Sequence, residues 1–333
     1  MHRPRTTVAA LASALVLAVS APAVAHDPAP VPPPHPSASA HDNSVVKRIS
    51  VDRMMAHISH LSETIGPRPA GGVAEQQTVD YLVAQFESYG YQDVEVQTFT
   101  FGRNNTTGMN VIATKKPQNK NVDNGQIVVV GAHHDSVSRG PGANDDASGT
   151  AAVLELARVF ASTPTAAEVR FALFGAEENG LVGSRYYANQ MSADEVGRTV
   201  AMFQLDMVGS RDAGHLTMFT VDGQQNTVTD LAASASSRVS YNEIPPFSML
   251  GRSDHVPFYE KGIPAALFIH TPLEPWYHGP EDTIDKVDPD KVLDVASIVG
   301  AALHNGVRKG TPALERSAVA PVPVDYYYED PHL

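Results

Sequence analysis

Residues 126–136 read QIVVVGAHHDS, and residues 169–178 read VRFALFGAEE. Each starts as a short apolar run and ends, just past a glycine, in side chains that bind protons and metals. The run 126–131 is apolar at successive positions and lacks the alternation of a half-exposed strand. It predicts a strand covered on both faces, as does 169–174. Further strands are expected over 199–207, 216–221 and 264–270, and Val94, Val96, Phe99 and Phe101 fall in strand-like sequence. Helical patterns lie between them, over 49–63, 72–89, 151–160, 181–190, 228–237 and 291–307. In the second of these, Val79, Leu82, Val83 and Phe86 recur at i, i+3, i+4 and i+7, and Gly90 stands where a helix terminates. The alternation predicts the α/β class: one globular domain with a mixed, mainly parallel central sheet flanked by helices on both faces.

In such sheets, ligands bind beyond the carboxyl ends of the strands. The chemically active side chains cluster there. His133 and Asp135 follow the first run, Glu177 and Glu178 the second; Asp206 ends AMFQLD, and His278 follows the last strand after a short loop. Singly, each has a plainer reading. Asp145 and Asp146 in GANDDASG suit a helix N-cap. Glu177-Glu178 suits an acidic loop, Asp206 a strand cap and His278 an exposed loop. Together they offer two His, two Asp and one Glu, a fitting inner set for two divalent cations with one carboxylate bridging. The second Glu is left as a proton shuttle. Two ions roughly 3.5–4 Å apart can activate a shared water and clamp a carbonyl oxygen. Imidazole and carboxylate without thiolate suit zinc, with cobalt or manganese as substitutes.

The chain has 333 residues, 42% hydrophobic and 18% charged, with a net charge of −13 and no cysteine. Disulfides, thiolate catalysis and zinc ribbons are excluded. The acidic balance opposes nucleic acid as a partner. Arg3 and Arg5 precede an apolar stretch from Val8 to Val19, and Ala23 and Ala25 form an A-x-A site. Residues 1–25 therefore read as a signal peptide and the protein as secreted, an uncleaved anchor being the alternative. No later segment is apolar and long enough to span a membrane. Residues 26–48, proline-rich at 27–36, read as a linker or propeptide. Residues 49–310 form the expected domain, and 311–333 a tail with prolines and Tyr326, Tyr327 and Tyr328. Asp285, Asp288 and Asp290 read as a solvated acidic loop, with calcium binding the alternative.

The chain resembles the M28 family of zinc metallopeptidases, the secreted bacterial leucyl aminopeptidase-like group, from about Ile49 to Val307. The resemblance rests on IGPRPAG at 65–71, GAHHDS at 131–136, GANDDASG at 142–149, FGAEENG at 174–180, QLDM at 204–207, GRSDHVPF at 251–258 and WYHGPEDT at 276–283. It implies the zinc exopeptidase (phosphorylase/hydrolase-like) fold and hydrolysis of N-terminal peptide bonds of peptides or proteins by metal-activated water. His133 and Asp206 would hold one zinc, Glu178 and His278 the other, and Asp145 would bridge. Glu177 would be the general base and Asp135 the partner of His133. Tyr277 is implied as an oxyanion donor, Arg252 and Asp254 as substrate contacts, and His134 as structural. A cis peptide between Asp145 and Asp146 is also implied, as is a preference for large apolar first residues. Met207, Phe247, Met249 and Phe268 are candidate pocket liners, with plain core as the alternative. The expected state is a monomer. Competing readings are another exopeptidase on this fold (carboxypeptidase or dipeptidase), a glutaminyl cyclase-like transferase, and a non-catalytic binding module.

Overall fold

The run at 126–136 forms the middle of the sheet. In a computed structural model, which describes residues 37–118, 120–240 and 242–321, the elements in chain order are as follows. Helices α1 (Ala40–Val46), α2 (Val51–Ser59) and α3 (Val73–Ser88) come first, with a π-helical turn at His60–Ile65. Strands β1 (Val94–Phe101), β2 (Thr106–Lys115) and β3 (Ile127–His133) follow. Then come α4 (Ala147–Ala161), β4 (Glu168–Phe174), α5 (Val182–Gln190), α6 (Ala193–Arg198), β5 (Thr199–Leu205) and β6 (His215–Thr220). The chain continues through α7 (Thr227–Val239), β7 (Phe247–Met249), α8 (His255–Glu260), β8 (Ala265–Thr271) and α9 (Pro289–Val307). The expected signal peptide, residues 26–36 of the expected linker and the three tail tyrosines lie outside the described residues.

The eight strands form one mixed sheet in the order β1-β2-β4-β3-β5-β8-β6-β7. The central four, β4, β3, β5 and β8, are mutually parallel. Antiparallel strands flank them: β2 beside β4, and β6 beside β8. Every residue of β3 is buried. Val128, Val130 and Ala132 enter one core, and Ile127 and Val129 the other. That division follows the two-residue period of a strand and explains why the run carries no polar alternation. Helices α1–α4, α7 and α9 cover the first face; α5, α6 and α8 cover the second. Full burial of a Val or Leu side chain contributes about 1.5–3 kcal/mol, so β3 anchors both layers.

This topology positions the site. The connection leaving β3 runs through α4 on one face; the connection leaving β4 runs through α5 and α6 on the other. A crevice opens at the carboxyl ends where successive connections part.

The four parallel strands stand where the sequence predicts them. β2, β7, α1, α6 and α8 are additions. α1 lies inside the stretch expected to be linker or propeptide. Its Val45 is fully buried, and its Asp42 is buried and ion-paired with Arg238 of α7 at 3.0 Å. Beyond α9, Leu314 is tied to Gln126 through hydrogen bonds of 2.7 and 2.8 Å. Among the described residues, no helix is long and apolar enough to cross a membrane.

Candidate metal centre and cleft

His133 is the last residue of β3 and Asp206 the first after β5, so both stand at the carboxyl edge of the sheet. Glu177 and Glu178 lie in the turn after β4, Asp145 two residues before α4, and His278 in the loop after β8. The structure brings all of them together. His133 Nε2 is 3.2 Å from Asp145 Oδ1 and 3.6 Å from Asp206 Oδ1. His278 Nε2 is 3.2 Å from Asp145 Oδ2 and 2.9 Å from Glu178 Oε2. Two groups with metal-holding geometry result, His133–Asp145–Asp206 and Asp145–Glu178–His278, with Asp145 common to both. Among the described residues these are the only such groups. Asp285, Asp288 and Asp290 form none: Asp288 caps α9, and Asp285 pairs with Lys286.

The two readings of Asp145-Asp146 divide between the residues. Asp146 is the N-cap of α4, and its Oδ1 accepts from Gly149 N at 2.9 Å and Met207 N at 3.1 Å. Its Oδ2 accepts from His133 N at 3.2 Å. One buried carboxylate thus ties the ends of β3 and β5 to the start of α4, while Asp145 faces the cleft. The peptide between them is cis. Asp135 receives the amides of Glu177 and Glu178 at 3.2 and 3.3 Å. His133 Nδ1 lies 3.5 Å from its carboxylate and 3.2 Å from its carbonyl oxygen. Ala176, Met207 and His278 hold φ of 57°, 53° and 56°. For non-glycine residues such backbones cost of order 1–3 kcal/mol each and persist where their surroundings fix them.

Several supporting residues escaped the sequence reading. Ser253 donates to Asp206 Oδ2 at 2.7 Å. Asp282 accepts from the amides of Asn144 and Asp145 at 2.8 and 3.0 Å. Arg68, fully buried, donates to the carbonyls of Leu61, Gly66, His134, Pro141 and Gly142. All three lie inside the quoted motifs, which was the available signal. His134 is buried, with Nε2 at 2.9 Å from the Met109 carbonyl.

The donor set fits divalent cations. Buried Asp145 Oδ2 and Asp206 Oδ1 accept no hydrogen bond. Burial raises Glu177 well above the usual carboxylate range, opposed by His133 and reinforced by Asp254 and Asp206. Burial also pushes Glu178 up to about 7, helped by Asp145. For His278, burial is outweighed by the carboxylates of Asp145 and Glu178 beside it, which push it up to about 10. Such crowding of buried negative charge is what a cation offsets. Two imidazoles and three carboxylates suit zinc.

The head of a cavity of about 510 Å³ is formed by His133, Asp145, Glu177, Asp206, Tyr277 and His278. Its walls are apolar: Met207, Phe219, Leu250, Leu267, Ile269 and Leu273. Met207 lines it as expected. Phe268 does not, because strand alternation turns it into the opposite core while Leu267 and Ile269 face the cleft. Phe247 and Met249 stand exposed on edge strand β7. Arg252 is on the cleft wall. Asp254 is fully buried, accepts from Gln204 at 3.2 Å and is not among the residues lining the cleft. Tyr277 stacks on His278 with ring centroids 3.8 Å apart. Burial, with Asp145 and Glu177 near it, raises its phenol above the usual range. Next to it, Trp276 carries Lys286 Nζ 5.7 Å from its ring centroid.

Comparison with known proteins bears on this arrangement. Aminopeptidase YwaD of Bacillus subtilis is 42% identical over 212 residues, covering 62% of this chain and 46% of that protein. Leupeptin-inactivating enzyme 1 of Streptomyces exfoliatus is 32% identical over 222 residues, covering 65% and 48%. The chain thus spans about half the length of these relatives. Among solved structures, an aminopeptidase from Aneurinibacillus sp. strain AM-1 superposes with a TM-score of 0.74 at 35% identity, over 86% of this chain and 99% of that one. BSAP, a zinc aminopeptidase from Bacillus subtilis, gives 0.75 at 28% identity, over 79% and 97%. The profile of Peptidase family M28 matches residues 110–303, a span that runs from β2 to α9 and holds every residue of both metal-holding groups. By fold, by site and by this match, the chain belongs to peptidase family M28.

Proposed function

We propose that the chain is a secreted, monomeric, dinuclear zinc aminopeptidase that removes the first residue from peptides and protein N-termini, favouring large apolar side chains. The observation that carries this is the position of Asp145. One of its oxygens faces His133 and the other His278, each at 3.2 Å, at the head of an apolar cleft. The aminopeptidases among its relatives support the same reading. Secretion rests on the sequence of residues 1–25, and the domain limits 49–310 on the pattern of elements.

His133, Asp145 and Asp206 would hold one zinc, and Asp145, Glu178 and His278 the second. When bound, zinc supplies Lewis-acid polarisation of the scissile carbonyl and a lowered pKa for water. Glu177 belongs to neither group yet lines the cleft. It takes a proton from the attacking water and returns it to the leaving amine. Asp135, holding the amides of both glutamates, fixes the turn so that Glu178 faces the metal group and Glu177 the cleft. Tyr277 keeps its proton and can donate to the oxygen on which charge develops. The apolar walls receive the first side chain. Arg252, the one Lys or Arg of the cleft lining, gives the carboxypeptidase or dipeptidase reading its only foothold.

The test uses purified protein on leucine p-nitroanilide and its N-acetylated counterpart, before and after chelation and zinc add-back. Cleavage of the free-amine substrate alone, lost on chelation and restored by zinc, is expected. Failure of fully zinc-loaded protein to cleave it, with cleavage of C-terminal or dipeptide substrates instead, would overturn the aminopeptidase reading.

A further inference from the structure

We infer that Asp282 is a positioning residue that places Asp145 for the metal pair, an inference that rests on the dinuclear reading above. Asp282 is 2% exposed and lies four residues past His278 in the same loop. Its two oxygens accept from successive backbone amides, Asn144 N at 2.8 Å and Asp145 N at 3.0 Å. Its carbonyl oxygen accepts from Ala143 N at 3.2 Å. The segment 278–282 therefore grips Asp145 twice. His278 meets its side chain, and Asp282 meets its backbone.

A carboxylate suits this task because it offers acceptors only. Two adjacent N–H groups each need one, and an amide side chain would turn its NH₂ toward one of them. Neighbouring contacts extend the grip. Asn144 Nδ2 donates to Glu274 Oε1 at 2.8 Å, and Asn144 Oδ1 accepts from Gly209 N at 2.9 Å, three residues past Asp206. The loops carrying Asp145, Asp206 and His278 are thus joined behind the site. Asp145 is common to both metal groups, so an error in its placement acts on both.

Asp282→Asn tests this. Far-UV circular dichroism and a thermal melt are read first, then zinc stoichiometry and affinity by chelator competition, then kcat and KM. Folded D282N is expected to bind zinc about 10–100-fold more weakly, the usual effect of losing a partner that orients a ligand. Its kcat should fall with KM little changed. Glu274→Gln keeps an acceptor for the Asn144 side chain and leaves the Asp145 backbone untouched, so it should bind zinc within a few-fold of wild type. Wild-type zinc affinity in D282N, or equal losses in D282N and E274Q, would overturn the inference. If D282N does not fold, D282E decides, because it keeps charge and both acceptors but shifts them by one methylene. A placement role predicts weakened binding, and wild-type binding would overturn it. Should the wild type itself take up fewer than two zinc ions, the dinuclear reading fails, independently of Asp282.

Discussion

Among the described residues, Arg68 is the largest of the fully buried side chains, and it is a cation. Its guanidinium is spent on five carbonyls drawn from the turn before α3 and the loops after β3. Burial lowers it to about 10, with Asp282 and Asp135 opposing, so it stays charged at neutral pH. Replacing it by Met would strand those carbonyls. R68M should lose more than about 3 kcal/mol in denaturant unfolding. A loss within about 0.5 kcal/mol, the range of ordinary surface changes, would mean that the carbonyls find other partners. Glu177 is judged by chemistry instead. E177Q should keep its zinc content while kcat falls about 10²–10⁴-fold, the usual contribution of a general base. An equal fall in zinc content would make Glu177 a ligand.

Helix α1 illustrates how elements beyond the recognised motifs hold the fold. Burial would raise Asp42, but hydrogen bonds from Arg238 and Ser39 hold it down to about 2. Arg48, just past α1, donates to the Val159 carbonyl in α4 and to Thr163, two residues beyond its end. A chain starting at Ser50 should therefore melt lower than one starting at His26, with no gain in activity per folded molecule. A rise in activity would instead mark residues 26–48 as inhibitory. The sequence is silent on α1 because seven residues give no period to read. It is silent on β2 because Gly108 and Asn110 interrupt the alternation. Asn110 is buried but satisfied, by the Gly183 carbonyl at 2.9 Å and the Gly175 amide at 3.1 Å. Strands β3, β4, β5 and β8 are legible because burial on both faces leaves short, mostly apolar runs, interrupted by Arg170 in β4, Gln204 in β5 and His270 in β8. Of the candidate metal-holding side chains, His133, Glu178 and Asp206 are legible because they follow those runs, whereas Asp145 stands before α4 and is marked only by the GANDDASG motif. The cleft wall is not, since choosing Leu267 and Ile269 over Phe268 requires knowing which face of β8 the helices leave open.

Across the whole molecule, buried histidines contribute stability that acid removes, while burial of Asp254 and Asp282, each pushed up to about 7, works in the opposite direction. Burial lowers His57 and His255 to about 4 and His270 to about 3, from an ordinary 6.5. These rings are neutral when folded and charge on unfolding. Below pH 6.5 these rings bind protons in the unfolded chain that they refuse in the folded one, so their share of the stability falls as pH drops toward 4. Their contribution is complete above pH 6.5. Each can add a slope of up to about 1.4 kcal/mol per pH unit. Urea unfolding of zinc-loaded wild type and H57Q, compared from pH 7 to 4.5, should show the wild type losing more stability as pH falls. Parallel profiles for the two proteins would contradict it. His57→Gln should reduce the slope, although its bonds to Tyr81 at 2.6 Å and Tyr89 at 3.1 Å would also change.

Trp276 is the chain's single tryptophan, two residues from His278, with an ammonium group near its ring and its indole N–H buried. Its ultraviolet emission therefore originates at one address. Any change in that light on adding metal or substrate reports the loop that carries Tyr277 and His278, with no second indole to dilute it. The same light is a poor witness to α1 or β7, whose loosening would leave the colour of the emission unmoved.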